Sequence, residues 1–412
     1  MANKLISFLG DGRNYQESEF KIHSHPQISG INYRLFPSSI IHFLRVMNNI
    51  EFERIIFVGT NFSFETCKEL IEKEIKNDLK IDENKIFKIL LDQSQIQNGE
   101  IALFIQNILN QLVNHLNDGD VVYIDTTHSF RFIPFVSTVL SFYLQTVFSN
   151  LKVRLYYGLF DITSKTTNLL DFSELTDITD WIYAVKLFVD FGYTGPFSVL
   201  LSKKAGMIYK DPNYKEKPTQ IKRLSMAFND FSTSVRSGMW QFIRDSIDNL
   251  DKNLKEEKLR SEIERFIPEL TPILGRISDK VESVKGDELE SQRKMISFYL
   301  SSMDLGMAYR LAREYVISCG VYALGNSDKL YDRDQRENVA RLINERIDLT
   351  NNPDFKRISS IMQIRNVFAH FGFNKDAESV RLNKAYETLK EFVEKFDTSE
   401  KLVEFLRNEL VD

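Results

Sequence analysis

Apolar residues in the first half of this chain fall into short runs that alternate with longer stretches of helical period. Leu5-Ile6-Ser7-Phe8-Leu9, Ile55-Ile56-Phe57-Val58, Ile86 to Leu91, Val121-Val122-Tyr123-Ile124 and Val153 to Phe160 have the length and the β-branched or aromatic content of buried strands. Ile31 to Phe36 adds a further short strand. Between these runs, apolar positions three and four apart predict helices. One carries Ile40, Ile41, Phe43, Leu44 and Met47 after Pro37; others cover Phe64 to Leu79, Glu100 to Leu116, and Phe132 to Phe148 with Pro134 in the first turn. Strands and helices alternating at these lengths predict a mostly parallel sheet with crossover helices on both faces. After residue 220 the strand signals fade. Helical patterns then cover Gln220 to Lys255, Arg260 to Val284, Leu289 to Ala323, Asp334 to Asp348, Phe355 to Phe371 and Val380 to Phe396. The fold class read from the pattern is α/β followed by an all-α domain.

The composition shifts between the two halves. Lys203, Lys204, Lys210, Lys215, Lys217, Lys222 and Arg223, with Pro212 and Pro218, read as an exposed connector. The expected division is an α/β domain over 1–195, a connector over 196–222 and a helical domain over 223–412. The connector's charge suits solubility first and the steering of RNA second. Ahead of it, the stretch from Leu169 to Phe197 reads as an amphipathic helix joining the domains, with Trp181, Ile182, Val185, Phe188 and Val189 on its apolar face.

Small and polar residues follow three of the strands: Gly10-Asp11-Gly12-Arg13-Asn14, Gly59-Thr60-Asn61, and Asp125-Thr126-Thr127-His128-Ser129. Open α/β sheets bind ligands at such carboxyl ends, and backbone N–H groups near helix N-termini suit an anionic ligand. Gly10-Asp11-Gly12 is no GxGxxG fingerprint, and no acidic residue stands where a nicotinamide ribose would need one. Asp125 with His128 has the make-up of a hydrolase dyad but no nucleophile elbow. His23 and His25 lack a Cys or acidic residue to complete a metal set, so no metal site is expected. The 412 residues carry a net charge of −5, which confines any polyanion site to a local patch. Cys67 and Cys319 are the only cysteines, a usage that fits a reducing cytoplasm rather than a disulfide framework. No apolar run reaches membrane-spanning length, and the first residues lack a signal-peptide core, so a cytoplasmic protein without a membrane partner is expected.

The stretch DTTHSFRFIPF, beginning at Asp125, resembles the Asp-x-Thr-His-Gly signature of a CRISPR-associated family of type III systems. Those proteins begin with a CARF domain, a Rossmann-like sensor of cyclic oligoadenylates. Ser129 departs from the signature, which has Gly there. The helix from Leu169 to Phe197 is similar to one that follows the family's last core strand. The resemblance implies a homodimer or higher homo-oligomer that holds its activator across a two-fold axis, cyclic tetra-adenylate more than the hexamer, with no other cofactor. It also implies the ligand-binding residues: Gly10, Asp11, Gly12, Arg13, Asn14, Thr60, Asn61, Asp125, Thr126, Thr127, His128, Ser129 and Arg131. Some CARF domains cleave their own ligand, and this pocket is open to that reading.

In the second half, Gln363 to Phe373 reads QIRNVFAHFGF. Asn366 and His370 are one helical turn apart and share a face. As a bare pattern, Arg365 and His370 are loose, and His370 also reads as a cation capping a helix C-terminus. RNVFAH resembles the Arg-Asn-x-x-x-His motif of HEPN domains, dimeric helical ribonuclease modules that accompany CARF domains. That resemblance implies that Arg365, Asn366 and His370 are catalytic in metal-independent cleavage of single-stranded RNA by its own 2′-hydroxyl. The alternatives are a non-catalytic sensor whose helical domain binds RNA or a protein, and a dinucleotide-dependent enzyme on the α/β half.

Overall fold

The computed structural model describes residues 2–21, 32–128, 130–212, 214–373 and 380–410, apart from the side chains of residues 176 and 177. The chain forms two compact units, Met1–Thr179 and Asp180–Asp412.

In the first unit the apolar runs become strands β1 (Asn3–Phe8), β2 (Ser18–Lys21), β3 (Asn32–Tyr33), β4 (Phe52–Gly59), β5 (Ile86–Leu90), β6 (Val121–Asp125), β7 (Lys152–Asp161) and β8 (Thr166–Asp171). They make one sheet in the order β3-β2-β8-β7-β6-β1-β4-β5. The five strands from β7 to β5 run parallel to one another. β8 returns antiparallel to β7, β2 runs parallel to β8, and β3 is antiparallel to β2. The helices are α1 (Phe36–Asn48), α2 (Asn61–Leu70), which continues through π-helical turns over Ile71–Asp78, α3 (Gln93–Gln97), α4 (Ile101–Leu112) and α5 (Ile133–Val147).

Alternate strand residues point to opposite faces, and the core divides accordingly. Leu5, Ile55 and Phe57 pack with Ile40, Leu44 and Leu70 of α1 and α2. Ile6, Ile56, Val58 and Ile124 pack with Ile108 and Leu140 of α4 and α5. The α/β class with a mostly parallel sheet therefore stands as the pattern predicted. After β1 the chain places β2 and β3 at the far edge, then lays β4 and β5 on one side of β1 and β6 on the other. The order reverses between β1 and β6, and a crevice forms at such a switch point, beyond the carboxyl ends of the two strands.

Two local expectations change. The strand expected over Ile31 to Phe36 is only Asn32–Tyr33 within the described residues, because Phe36 already opens α1. β2 and β8 were not anticipated; their sequences, SEFK and TTNLLD, carry too much polarity to stand out.

The second unit takes in α6 (Glu174–Phe191) from Asp180 onward, then α7 (Gly195–Lys210), α8 (Thr219–Ser237), α9 (Trp240–Leu254), α10 (Glu257–Phe266), α11 (Leu274–Glu282), α12 (Glu288–Ser301), α13 (Leu305–Ala323), α14 (Arg333–Leu349), α15 (Pro353–Ala369), α16 (Leu382–Lys395) and α17 (Ser399–Leu410). α13 is buried nearly all round, through Ala308, Tyr309, Ala312, Tyr315, Val316 and Cys319, which marks it as the central helix. The Tyr309 hydroxyl donates to the Ala385 carbonyl and the Tyr315 hydroxyl to Ser399 Oγ.

The stretch expected as a connector is a correction. Over residues 196–210 it is helix α7, and Phe197, Leu201, Ala205 and Ile208 are buried in the helical core. Its lysines occupy the other face of an amphipathic helix. On α6, Trp181, Val185 and Phe188 are buried as expected, while Ile182 is exposed, and that helix starts only at Glu174 because β8 occupies the residues before it. Three long helical spans are also broken: one at Gly238, whose φ of 69° ends α8, one over Pro268–Ile273, where 3-10 turns separate α10 from α11, and one at Met303, whose φ of 58° separates α12 from α13.

Candidate functional site

The loops after β1, β4 and β6 lie side by side, since these strands are neighbours and parallel. Asp125, the last residue of β6, is fully buried. Its carboxylate accepts from Ser7 Oγ at 2.7 Å and from the Thr127 N–H at 2.9 Å. Burial pushes its pKa up to about 6 against those two bonds. Asp125 thus folds the loop back on itself. Thr127 Oγ1 accepts from the Gly158 N–H at 2.8 Å, and the Thr126 N–H donates to the Tyr156 carbonyl, which ties the same loop to β7.

His128 stacks on Tyr15 with ring centroids 3.9 Å apart. Its Nε2 accepts the Phe36 N–H at 3.3 Å, a donor at the start of α1 that has no partner within the helix. That bond fixes the neutral ring with its proton on Nδ1, and burial pulls the pKa down to about 4. The Glu74 carboxylate accepts the two preceding N–H groups, Arg34 at 2.9 Å and Leu35 at 3.0 Å. The Tyr15 hydroxyl accepts from the Gly10 N–H at 2.7 Å and donates to the His128 carbonyl at 3.4 Å. A Cβ on Gly10 would stand 2.9 Å from that carbonyl oxygen, so only glycine lets the β1 and β6 loops approach this closely.

These loops border a cavity of about 380 Å³ with Asn14, Tyr15, Arg34, Thr127, His128 and Tyr157 in its wall. Of the residues expected to bind ligand, the structure brings Asn14, Thr127 and His128 together there. The other described ones do not line it. Asp11 caps a turn and pairs with Arg13, whose guanidinium lies over Phe62. The Gly12 N–H donates to Thr66 Oγ1. Thr60 caps α2 through the Ser63 N–H, and Asn61 and Arg131 are exposed. Ser129, like His23 and His25, lies outside the described residues. Sequence reasoning missed Tyr15, Arg34 and Tyr157. Tyr15 directly follows the Gly10–Asn14 loop, a position that could have drawn attention to it.

In the helical unit, α15 ends at Ala369 and His370 caps it; the next residues take left-handed φ values of 50° at Phe371 and 72° at Gly372. Asn366 and His370 are exposed on one face. Arg365 is half-buried, its Nη1 donates to Asn366 Oδ1 at 3.2 Å, and its Nε has no partner among the described residues. Burial and the neighbouring positive charges of Arg313 and Arg310 lower its pKa, with Glu314 acting against them. Glu314 is itself held ionised, since Arg313 and Arg336 outweigh its burial. The three expected residues are therefore together. The charged residues of α13 that surround Arg365 were missed, although RLARE inside an otherwise apolar helix was a readable signal. A cavity of about 510 Å³ adjoins this helix end, bordered by Arg310, Phe368, Phe371 and Gly372.

Among the described residues, no group of three or more His, Cys, Asp or Glu side chains could hold a metal ion, and no helix is long and apolar enough to cross a membrane.

Residues 4–158 match the family model of the CARF domain of the CRISPR system endoribonuclease Csx1, and residues 177–286 match that of the second domain of CRISPR-associated protein MJ1674. The CRISPR-associated protein MJ1674 of Methanocaldococcus jannaschii is 28% identical over 206 residues, 49% of this chain; the match spans only 28% of that protein's length. Csm6 of Enterococcus italicus, solved bound to cyclic hexa-2′-fluoro-hexa-dAMP, aligns over all of both chains with a TM-score of 0.35 and 10% identity, a distance at which the likeness carries no argument.

Proposed function

We propose, from the match of residues 4–158 to a CARF-domain family model, that this chain is a CRISPR-associated, metal-independent endoribonuclease acting on single-stranded RNA in type III antiviral defence. In this reading a cyclic oligoadenylate, cyclic tetra-adenylate in the first instance, switches it on. The ring lies at the two-fold axis of a homodimer, over the loops after β1, β4 and β6, with Asn61, Thr127, His128 and Arg131 toward it. An adenine of each half enters the cavity beside the Tyr15–His128 stack, where His128 Nδ1–H offers a donor.

Cleavage uses the substrate's own nucleophile. The 2′-hydroxyl attacks the adjacent phosphorus, the O2′–P bond forms and the P–O5′ bond breaks, leaving a 2′,3′-cyclic phosphate and a 5′-hydroxyl. His370 takes the proton from the 2′-hydroxyl or returns one to the leaving oxygen; two copies of the helical domain would supply both. Arg365 neutralises the phosphorane charge through its fixed fork of donors, and Asn366 orients it. The observation that carries this reading is the Arg365 guanidinium, half-buried among Arg310 and Arg313, bonded to Asn366 and with a free Nε among the described residues. Such a concentration of partly buried positive charge favours a bound phosphate.

The second reading is a non-catalytic sensor, favoured by the position of His370 at the cap of α15, where a cation is stabilised by the helix dipole. One assay decides: labelled single-stranded RNA with and without cyclic tetra-adenylate, in EDTA. Activator-dependent cutting that His370→Ala abolishes supports the enzyme. Tight activator binding with no cutting would establish the sensor.

A further inference from the structure

A second cavity of the helical unit, about 270 Å³, is lined by Trp240, Gln292, Arg310, Glu314, Tyr331 and Arg336. Its polar wall is built around Glu288, which accepts from the Trp240 indole, the Arg244 guanidinium, Gln292 Nε2 at 3.0 Å and the Tyr331 hydroxyl at 2.9 Å. The bond from Nε2 fixes which end of the Gln292 amide is which. Gln292 is 3% exposed, and its Oε1 has no partner among the described residues. A buried carbonyl oxygen of this kind is disfavoured unless a donor reaches it.

Charge around the cavity is positive although the chain is acidic. Of the charged side chains lining it, Arg310 and Arg336 outnumber Glu314, which also pairs with Arg313 and acts on Arg365, while Arg244 is paired with Glu288. Arg310 also borders the cavity at the end of α15, so the two spaces share a wall beside the proposed catalytic residues. An inorganic anion would leave the Gln292 acceptor unmet. A nucleotide meets every feature: a base edge supplies N–H donors, aromatic rings flank the base, and its phosphate stays with the arginines.

We propose that this cavity receives one base of the RNA strand, bonded through an N–H to Gln292 Oε1, while the backbone passes Arg310 toward Arg365. The inference deepens the ribonuclease reading and rests on it for the identity of the strand. Gln292 is then a specificity-determining residue.

The test measures binding of short homopolymeric oligoribonucleotides of A, C, G and U to the full chain carrying His370→Ala, with cyclic tetra-adenylate present, by fluorescence anisotropy. Discrimination between the best and worst base is expected to be roughly fivefold or more, and to shrink to about twofold when Gln292→Met replaces the amide with an isosteric side chain. Ser237→Trp, at an exposed position on the cavity wall, is expected to weaken binding of all four, and it decides the matter should Gln292→Met not fold. Unchanged discrimination in Gln292→Met, unchanged affinity in Ser237→Trp, or no RNA binding at all overturns the inference. The parent with His370 intact is assayed for cutting in parallel. Cutting with a preference indifferent to Gln292 removes this inference and leaves the enzyme; Gln292-dependent binding without cutting does the reverse.

Discussion

Replacing Asp125 with Asn is expected to stabilise the α/β unit at neutral pH. The carboxyl is fully buried and its pKa is raised from 3.8 to about 6. The folded state therefore holds a proton between those two values that the unfolded chain has released. The group's contribution is fully present below pH 3.8 and is lost as pH rises through 6, so ionised Asp125 costs roughly 3 kcal/mol at pH 7.5. Asn keeps an oxygen for the Thr127 N–H, and the Ser7 hydroxyl needs only to turn and accept from the amide. Asp125→Asn should thus recover about 2–3 kcal/mol at pH 7.5 and almost nothing at pH 4. His128 works in the opposite sense. Its pKa falls from 6.5 to about 4, so its contribution is present above pH 6.5 and is lost as pH falls through 4. The two groups nearly cancel between pH 4 and 6 in the native protein, and the Asn variant should expose the His128 slope alone. Urea-dependent hydrogen exchange, followed on peptides from β1 and β6, reads this unit separately from the helical one. A variant less stable than the parent at pH 7.5, or a difference that does not grow from pH 4.5 to 7.5, would refute the reasoning.

Three further outcomes follow from the packing. Gly10→Ala forces the β6 loop away from a Cβ that would sit 2.9 Å from the His128 carbonyl; the expected cost is about 1–3 kcal/mol, with weaker binding of cyclic tetra-adenylate by calorimetry. Glu74→Ala leaves the Arg34 and Leu35 N–H groups at the head of α1 unmet, and should lower stability by about 2–3 kcal/mol in the same exchange experiment. Glu288→Ala strips the acceptor from Trp240, Arg244, Gln292 and Tyr331. It should destabilise the helical unit by roughly 3 kcal/mol, visible as a shifted tryptophan-fluorescence transition in urea.

Periodicity made the α/β-then-α class legible because buried strands and amphipathic helices must repeat at 2.0 and 3.6 residues to reach a core. It failed where that rule relaxes. β2 and β8 lie beyond β7, outside the parallel core, and their buried positions include Ser18, Thr166 and Thr167, with the Ser18 and Thr167 hydroxyls bonded to each other at 2.6 Å, so no continuous apolar run marks them. α7 has the opposite character. Its lysines and the prolines after it suggested a connector, yet Phe197, Leu201 and Ala205 recur at a spacing of four and sit in the core; charge density outweighed a periodic signal that was present. The breaks at Gly238 and Met303 depend on backbone φ, which glycine hints at and methionine does not.

The candidate sites divide along the same physical line. Local chemistry is written in contiguous residues: RNVFAH places Arg365, Asn366 and His370 on one helix end, and that grouping follows from helical geometry alone. What surrounds them is not contiguous. Arg310, Arg313 and Glu314 come from α13, and Glu74 reaches the head of α1 from turns almost forty residues later in the chain, so neither partner set can be inferred before the tertiary fold exists. The β6 loop shows why polarity alone misassigns roles. Asp125, the most ligand-like residue by chemistry, is enclosed, and both its oxygens bond to the protein itself. His128 is bonded through one ring nitrogen to the helix and offers only the other to the cavity. A polar residue at a strand end can hold the loop or face the ligand, and the choice is made by where the neighbouring strand puts its own donors, as Ser7 of β1 does for Asp125.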